Sequence, residues 1–384
     1  MISVTWYRHG HEARNDYLRW SLVRLADAGR IAYRERPQAA GAEAGMSAGL
    51  IAHEHRHTSV LSIEDGPRRR LVAIDNEDGF THLQPFVDEV DAYFCCPFTS
   101  AFHREKSFPD PLPWQTEADV ADYRAQAARL VERHGDHFDK VRPLIPTPTQ
   151  MVVYESFTPT ERRGVLWAHR VRKAAVWRAD RELWRHEMAA CEARYRQMTG
   201  YRALGLRHDV VSRESLWGWP ENRVALHERL HGLAAAGRDV HAQLTAPEPE
   251  ALAGLSEASR ARLPALTAPM RLDEPFEAAL CSSRLAVFPT GFHWGWRGIT
   301  FVALCAGVPV LMDRPTYEPY FPWSEFDVFT NEGRWETVGD LLREIDEARW
   351  LAIKAHTQRV FDARLSPDAV GTYLLGQFSD LLTA

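Results

Sequence analysis

The sequence predicts an α/β protein of two layered domains, and three observations predict it. A strand, a Gly-rich loop, a helix and a second strand follow one another within residues 283–313, the order of a βαβ unit. Strand-like and helical runs also alternate through residues 1–150, with connections long enough for parallel pairing. Between these halves, Arg142-Pro143-Leu144-Ile145-Pro146-Thr147-Pro148-Thr149 reads as a linker, because its prolines fit neither a helix interior nor a central strand. The 384 residues exceed one comfortable core and suit two domains. The expected division is 1–150, 151–355, and a helical tail, 356–384, that packs back toward the first domain.

The elements follow in order. Residues 2–7 mix β-branched and aromatic side chains and predict a first strand. The chain then reaches Arg8 and His9 at once, which fits no signal-peptide core. Leu18, Leu22 and Leu25 have helical spacing. Strands are predicted at 59–63, 70–74, 92–95 and 151–154, with an amphipathic helix over 119–134. A second α/β unit begins near 164–168 and feeds a helix over 179–198. The Pro- and Ala-rich stretch 245–269 reads as an irregular surface connection. Residues 283–289 read as a buried strand, 298–306 as a helix closed by Gly307, and 308–313 as the next strand.

Composition excludes several classes. Hydrophobic residues make up 45% and charged residues 26%, a globular balance. No run approaches the roughly 20 apolar residues of a membrane span, and a cytoplasmic location is expected. The net charge of −6 argues against an extended nucleic-acid surface. Cys95, Cys96, Cys191, Cys281 and Cys305 are odd in number and lack CxxC spacing, so free buried thiols are expected. No Asp-x-Asp motif is placed to hold a metal, and no metal or bound cofactor is expected.

The chemistry concentrates in Gly291-Phe292-His293-Trp294-Gly295-Trp296-Arg297-Gly298. Ligands of open parallel sheets bind beyond the carboxyl ends of the strands, where such loops feed helix N-termini. The helix at Gly298 offers unpaired N–H groups to an anion, Arg297 a cationic fork and Thr300 a hydroxyl. A diphosphate suits that set. His293 and Trp296 line the same loop. Arg170 and Lys173, in the basic stretch after 164–168, face the same cleft in this reading.

The order of Cys281-Ser282-Ser283-Arg284-Leu285-Ala286-Val287-Phe288-Pro289, Trp296-Arg297-Gly298-Ile299-Thr300-Phe301, Ala306-Gly307-Val308-Pro309-Val310 and Pro319-Tyr320-Phe321-Pro322-Trp323-Ser324-Glu325-Phe326-Asp327-Val328 resembles the C-terminal signature of exostosin-like glycosyltransferases. The resemblance covers about residues 275–335. It implies the GT-B architecture, two facing Rossmann-like domains with the active site between them. It also implies a nucleotide-diphosphate sugar as co-substrate and a glycan or small-molecule acceptor. Members of the family usually carry a Glu on the helix after the loop, where it takes the donor ribose hydroxyls. Val302 stands there in this chain, which leaves Asp313 and Glu318 as the nearest carboxylates for that contact.

The acceptor side falls to the loop after the first strand, where His11, Asp16 and Glu12 are the candidate proton acceptors. A second acidic cluster, Asp75-Asn76-Glu77-Asp78, follows the strand 70–74. Two rival readings stand beside transfer. Arg8-His9-Gly10 resembles the histidine phosphatases, but His134-Gly135 and His231-Gly232 lie in helix-like surroundings that do not suit the second catalytic His which that resemblance implies. A transferase-like domain that binds glycan without catalysis is the other.

Overall fold

In the computed structural model the chain forms two α/β domains that face each other. The structure describes residues 1–9, 13–145, 147–148, 151, 183–245, 252, 254–267, 274–295, 297–333 and 335–384. The predicted strand over 152–154, the start near 164–168 and most of the basic stretch 162–185 lie outside them.

The first sheet has the order β2-β1-β3-β4-β5-β6, with β1 Ser3–Arg8, β2 Ala32–Pro37, β3 Thr58–Asp65, β4 Arg68–Asp75, β5 Ala92–Cys95 and β6 Val141–Pro143. Five strands run one way and β3 runs against its neighbours β1 and β4. Parallel crossovers, expected from spacing alone, therefore fail at this point. The link between β3 and β4 is only Gly66-Pro67, too short to carry the chain back across the sheet, and Gly66 supplies a φ of +60° for the hairpin turn.

Two further expectations are corrected. The stretch 142–149 is not wholly a linker, because β6 takes its first two residues and Leu144 and Ile145 are fully buried. Pro143 is tolerated since β6 is the edge strand and its missing N–H breaks no ladder. The stretch 245–269 contains a helix, Glu257–Leu266, started by the Ser256 side chain accepting from Ser259 N. Its apolar face, Leu263 and Leu266, packs against Leu216, Val224 and Leu244.

The helices are labelled α1 Asp16–Asp27, α2 Glu117–His134, α3 Leu183–Gly200, α4 Pro220–Ala235, α5 Glu257–Leu266, α6 Phe276–Cys281, α7 Gly298–Ala306, α8 Glu336–Glu344, α9 Glu347–Arg364 and α10 Pro367–Thr383. A capping box of Thr116 and Asp119 starts α2. Gly307, at φ +89°, ends α7.

The second sheet is all parallel, in the order β8-β7-β9-β10-β11, with β7 His208–Ser215, β8 Val240–Thr245, β9 Ser283–Phe288, β10 Val310–Asp313 and β11 Val328–Asn331. Counted within this domain the order is 2-1-3-4-5, a doubly wound sheet whose direction of growth reverses between β7 and β9. Helix α7 links β9 to β10, and Thr300 to Ala306 on it are buried.

A shared core joins the domains on their helical side. Tyr17 of α1 meets Phe301 of α7 edge to face at 5.0 Å, and its hydroxyl donates to the Leu365 carbonyl at 2.5 Å. Helix α10, which follows the second domain in the chain, lies on the first: Gly371 comes against Ser21 and Leu25 of α1, and Phe378 meets Phe94 of β5. All five cysteines are free and buried.

Candidate active site

The carboxyl ends of the parallel strands in both sheets open toward the junction of the domains, and the sequence after each strand supplies the lining. At the switch point between β7 and β9, Glu214 sits near the end of β7 with its side chain wholly buried. Its Oε2 accepts from Arg297 Nη1 at 2.5 Å and from Arg223 of α4. Its Oε1 is buried and has no hydrogen-bond partner among the described residues. Arg223 also donates to the carbonyls of Gly218 and Thr290, and burial lowers its guanidinium to about 10 against the pull of Glu214. Arg297 stays about a quarter exposed, directly before the first turn of α7. A buried carboxylate thus fixes the fork of Arg297 at a helix N-terminus.

Asp313, at the end of β10, is turned inward. Trp114 Nε1, Asn331 Nδ2, Asn222 Nδ2 and the Thr290 amide all donate to its two oxygens at 2.8–3.1 Å. Burial holds its pKa above the usual carboxylate range. The carboxylate ties the ends of β9, β10 and β11 to α4. Glu318 reaches across the junction instead and accepts from the Ser100 amide at 3.0 Å and its hydroxyl at 2.5 Å. Thr300 is buried on α7 with its amide bonded to the Arg297 carbonyl.

The loop before α7 is held in an unusual shape. The Gly291 amide donates to the Gly295 carbonyl, and a Cβ at 291 would stand 2.5 Å from that oxygen. His293 and Trp294 both have left-handed backbones, φ +56° and +62°, each costing about 1–3 kcal/mol. The first domain, together with Trp219 of the second, supplies what holds them. Trp294, 3% exposed, packs among Phe80, Phe108, Tyr123 and Trp219 with ring centroids 4.5–5.8 Å away. His293 Nδ1 lies 2.8 Å from the Tyr123 hydroxyl and its ring 4.2 Å from His82. Gly79 passes so close that a Cβ there would touch the His293 Cβ at 2.7 Å. Burial, then His82, lowers His293 to about 4, so it is a neutral imidazole at pH 7.

Opposite lies a narrow recess lined by Arg14, Asn76, Glu77, Asp78, Cys96, Thr147 and Tyr317, with room for about one water. Arg14 donates to Asp78 at 3.0 Å. His57 stands 3.8 Å from Glu77, and burial lowers its pKa. Asp75 is buried beneath, bonded to the Tyr93 hydroxyl, and burial raises its pKa far above the carboxylate range. Of the acidic run, Glu77 and Asp78 therefore line the recess and Asp75 supports them.

Asp16 points elsewhere. It pairs with Arg19 at 2.6 Å on its own helix, inside a buried network of Arg8, Arg19, Glu35 and Glu187. His9 Nε2 lies 2.9 Å from the Thr58 carbonyl, and Arg8 is taken up by Glu35 and Glu187. His11, Glu12, Arg170, Lys173 and Trp296 lie outside the described residues.

Sequence reasoning missed Glu214, Arg223 and Asn222, which fall in a stretch, 199–244, where it assigned no element. It also missed Trp217, 52% exposed in the loop that leaves β7. The alternating His53, His55 and His57 were a signal available in the sequence.

No protein-family model matches the chain, and no curated protein matches it. Among solved structures it is similar to AviGT4, a glycosyltransferase involved in avilamycin A biosynthesis, at 10% identity and a TM-score of 0.31, over 47% of this chain and only 53% of that one. The catalytic domain of starch synthase IV from Arabidopsis thaliana, bound to ADP and acarbose, matches over 97% of this chain and 78% of its own, at 10% identity and a TM-score of 0.40. The UDP-GlcNAc 2-epimerase of Neisseria meningitidis matches over 98% of each chain, at 10% identity and a TM-score of 0.31. Likeness at this level leaves function to be argued from the site.

Proposed function

We propose that the chain is a glycosyltransferase that moves a sugar from a nucleotide-diphosphate donor to a hydroxyl of a glycan or small-molecule acceptor, without a metal. The observation that carries this reading is the buried Glu214 holding Arg297 at the first turn of α7, at the switch point of a doubly wound sheet. A diphosphate there meets backbone N–H groups at Gly298 and a preorganised guanidinium, which neutralise a leaving diphosphate as its bond to the sugar breaks. Arg170 and Lys173 are proposed to add to that charge, and Trp296 and His293 to border the donor. With Asp313 held by four donors and Glu318 bonded to Ser100, the ribose contact falls to groups other than these two carboxylates and the helix position of Val302.

On the acceptor side, His11 and Glu12 are retained as proton acceptors, and Glu77 and Asp78 join them because they line the recess that faces Tyr317. Asp16, paired with the buried Arg19, fits a positioning role better. Trp217 offers an exposed ring for a sugar or base to stack on. The phosphatase reading is weakened by Arg8, whose guanidinium is paired with two carboxylates where a phosphate would need it. A non-catalytic glycan-binding domain is separated from a transferase by donor turnover.

The test is calorimetric titration with UDP, GDP, CMP and ADP, repeated on Arg297→Ala and with EDTA present. One nucleotide binding at micromolar Kd, weakened about ten- to hundredfold in the variant and indifferent to EDTA, is expected. Absence of binding by all four sinks the donor-site reading.

A further inference from the structure

The opposite end of the second sheet carries a group of side chains that nucleotide transfer does not use. His208 opens β7, Asp239 immediately precedes β8, His241 lies on β8, and Glu274 precedes α6. His208 Nδ1 is 3.0 Å from Asp239 Oδ2, and its Nε2 is 3.0 Å from Glu274 Oε1. His241 Nε2 is 2.8 Å from the other Asp239 oxygen. One ligand atom from each of His208, Asp239 and His241 lies within 4.8 Å of the others.

Both nitrogens of His208 face carboxylates, and His241 Nε2 faces the same Asp239 that His208 Nδ1 does. His208 Nδ1, His241 Nε2 and the Asp239 carboxylate thus converge from three directions on one small volume, where a cation can take a ligand atom from each. The remaining Nε2–H then donates to Glu274, the outer carboxylate that commonly orients a metal-ligating imidazole. Arg207 donates to the second oxygen of Glu274 at 2.6 Å and fixes it in place.

We propose that His208, His241 and Asp239 form a binding site for a zinc-class divalent transition metal, with Glu274 as a positioning residue. Two nitrogens and one carboxylate suit zinc and its neighbours rather than magnesium or calcium, which prefer all-oxygen shells. Water fills the fourth position. The site joins the edge strand β8 to β7 and to the segment entering α6, so its role is a structural staple. β7 separates it from the candidate active site by about 20 Å. The inference does not rest on the glycosyltransferase reading.

The experiment uses the full chain without an affinity tag, stripped with EDTA and titrated with Co²⁺, then Zn²⁺. The expected result is about one Co²⁺ per chain with visible bands of four-coordinate strength, displaced by Zn²⁺, and a Zn²⁺-dependent rise in Tm. His208→Gln and His241→Gln each lower the affinity tenfold or more, and Glu274→Gln lowers it about tenfold. His241→Gln, on the partly exposed edge strand, guards against misfolding of the His208 variant. His57→Gln leaves binding intact. The proposal is overturned if Co²⁺ binding is absent, if it survives both His208→Gln and His241→Gln, or if His57→Gln is the variant that removes it.

Discussion

Two buried glutamates in this molecule are each clasped by two arginines, and they differ in what is left over. Glu35, on β2, takes Arg8 and Arg19 through both of its oxygens and accepts from the Tyr33 hydroxyl as well. Burial pushes its pKa up, but Arg19 and Arg8 outweigh this and hold the carboxyl below its usual range. Glu214 takes Arg223 and Arg297 through one oxygen only, leaves the other buried with no partner among the described residues, and lets Arg297 reach the domain junction. The first is a closed ionic knot inside the fold. The second is an open one, and unsatisfied buried polar atoms of that kind carry a cost that the fold does not need to bear for its own sake. The difference separates charge that holds the structure from charge kept ready for a ligand.

The comparison is broken most forcefully at Arg19. Arg19→Met should cost about 3–5 kcal/mol in urea unfolding, because Glu35 and Asp16 lose a fully buried partner. Nucleotide affinity of the folded fraction should not change. Arg297→Ala should do the reverse: nucleotide affinity falls about ten- to hundredfold, the worth of a charge-assisted contact, while the unfolding midpoint stays near wild type because Glu214 keeps Arg223. Equal stability loss in the two variants would erase the distinction drawn here.

How much of this was legible in the sequence follows the same line. The unit β9–α7–β10 was readable because apolar runs, a Gly-rich loop and Gly307 are adjacent in the chain. β2 was not, because its buried side is ionic: Tyr33-Arg34-Glu35-Arg36 has no apolar alternation to read, and Glu35 is inside only because Arg8 and Arg19 meet it there. The hairpin β3–β4 was read as two strands but not as a pair. At the site, Arg297 and Gly298 announced themselves by local spacing. Glu214 did not, since the arginine that gives it a role at the junction lies 83 residues away. Local patterns report elements, whereas a site assembled across a sheet depends on register.

Two smaller effects sharpen the contrast. Trp217→Ala should weaken donor or acceptor binding about three- to tenfold, the worth of one stacking ring, with no shift in Tm, since the ring is half exposed. A ring with no ligand role would leave both unchanged. Acid should then act on the two regions in sequence. His293 has a folded pKa of about 4 against an ordinary 6.5, so the stability it contributes is present above 6.5 and lost as pH falls toward 4. Glu35, with a depressed carboxylate pKa, keeps its contribution to lower pH and loses it as pH falls through that value. The wild-type Tm minus that of His293→Asn, which tolerates the left-handed backbone, should therefore fall between pH 6.5 and 4. A flat difference would mean that His293 is not held neutral by its surroundings.

Helix α10 carries a consequence for how the molecule is made. Val370, Leu374, Phe378 and Leu382 close a core whose other walls, Val4, Leu18, Leu22 and Phe94, were synthesised some hundreds of residues earlier. The ribosome therefore releases the first domain with its core open and must finish the second before the closing helix arrives. During that interval the apolar back of the first sheet is an exposed surface, a natural client for a chaperone. A chain stopped anywhere before residue 367 would carry that surface permanently.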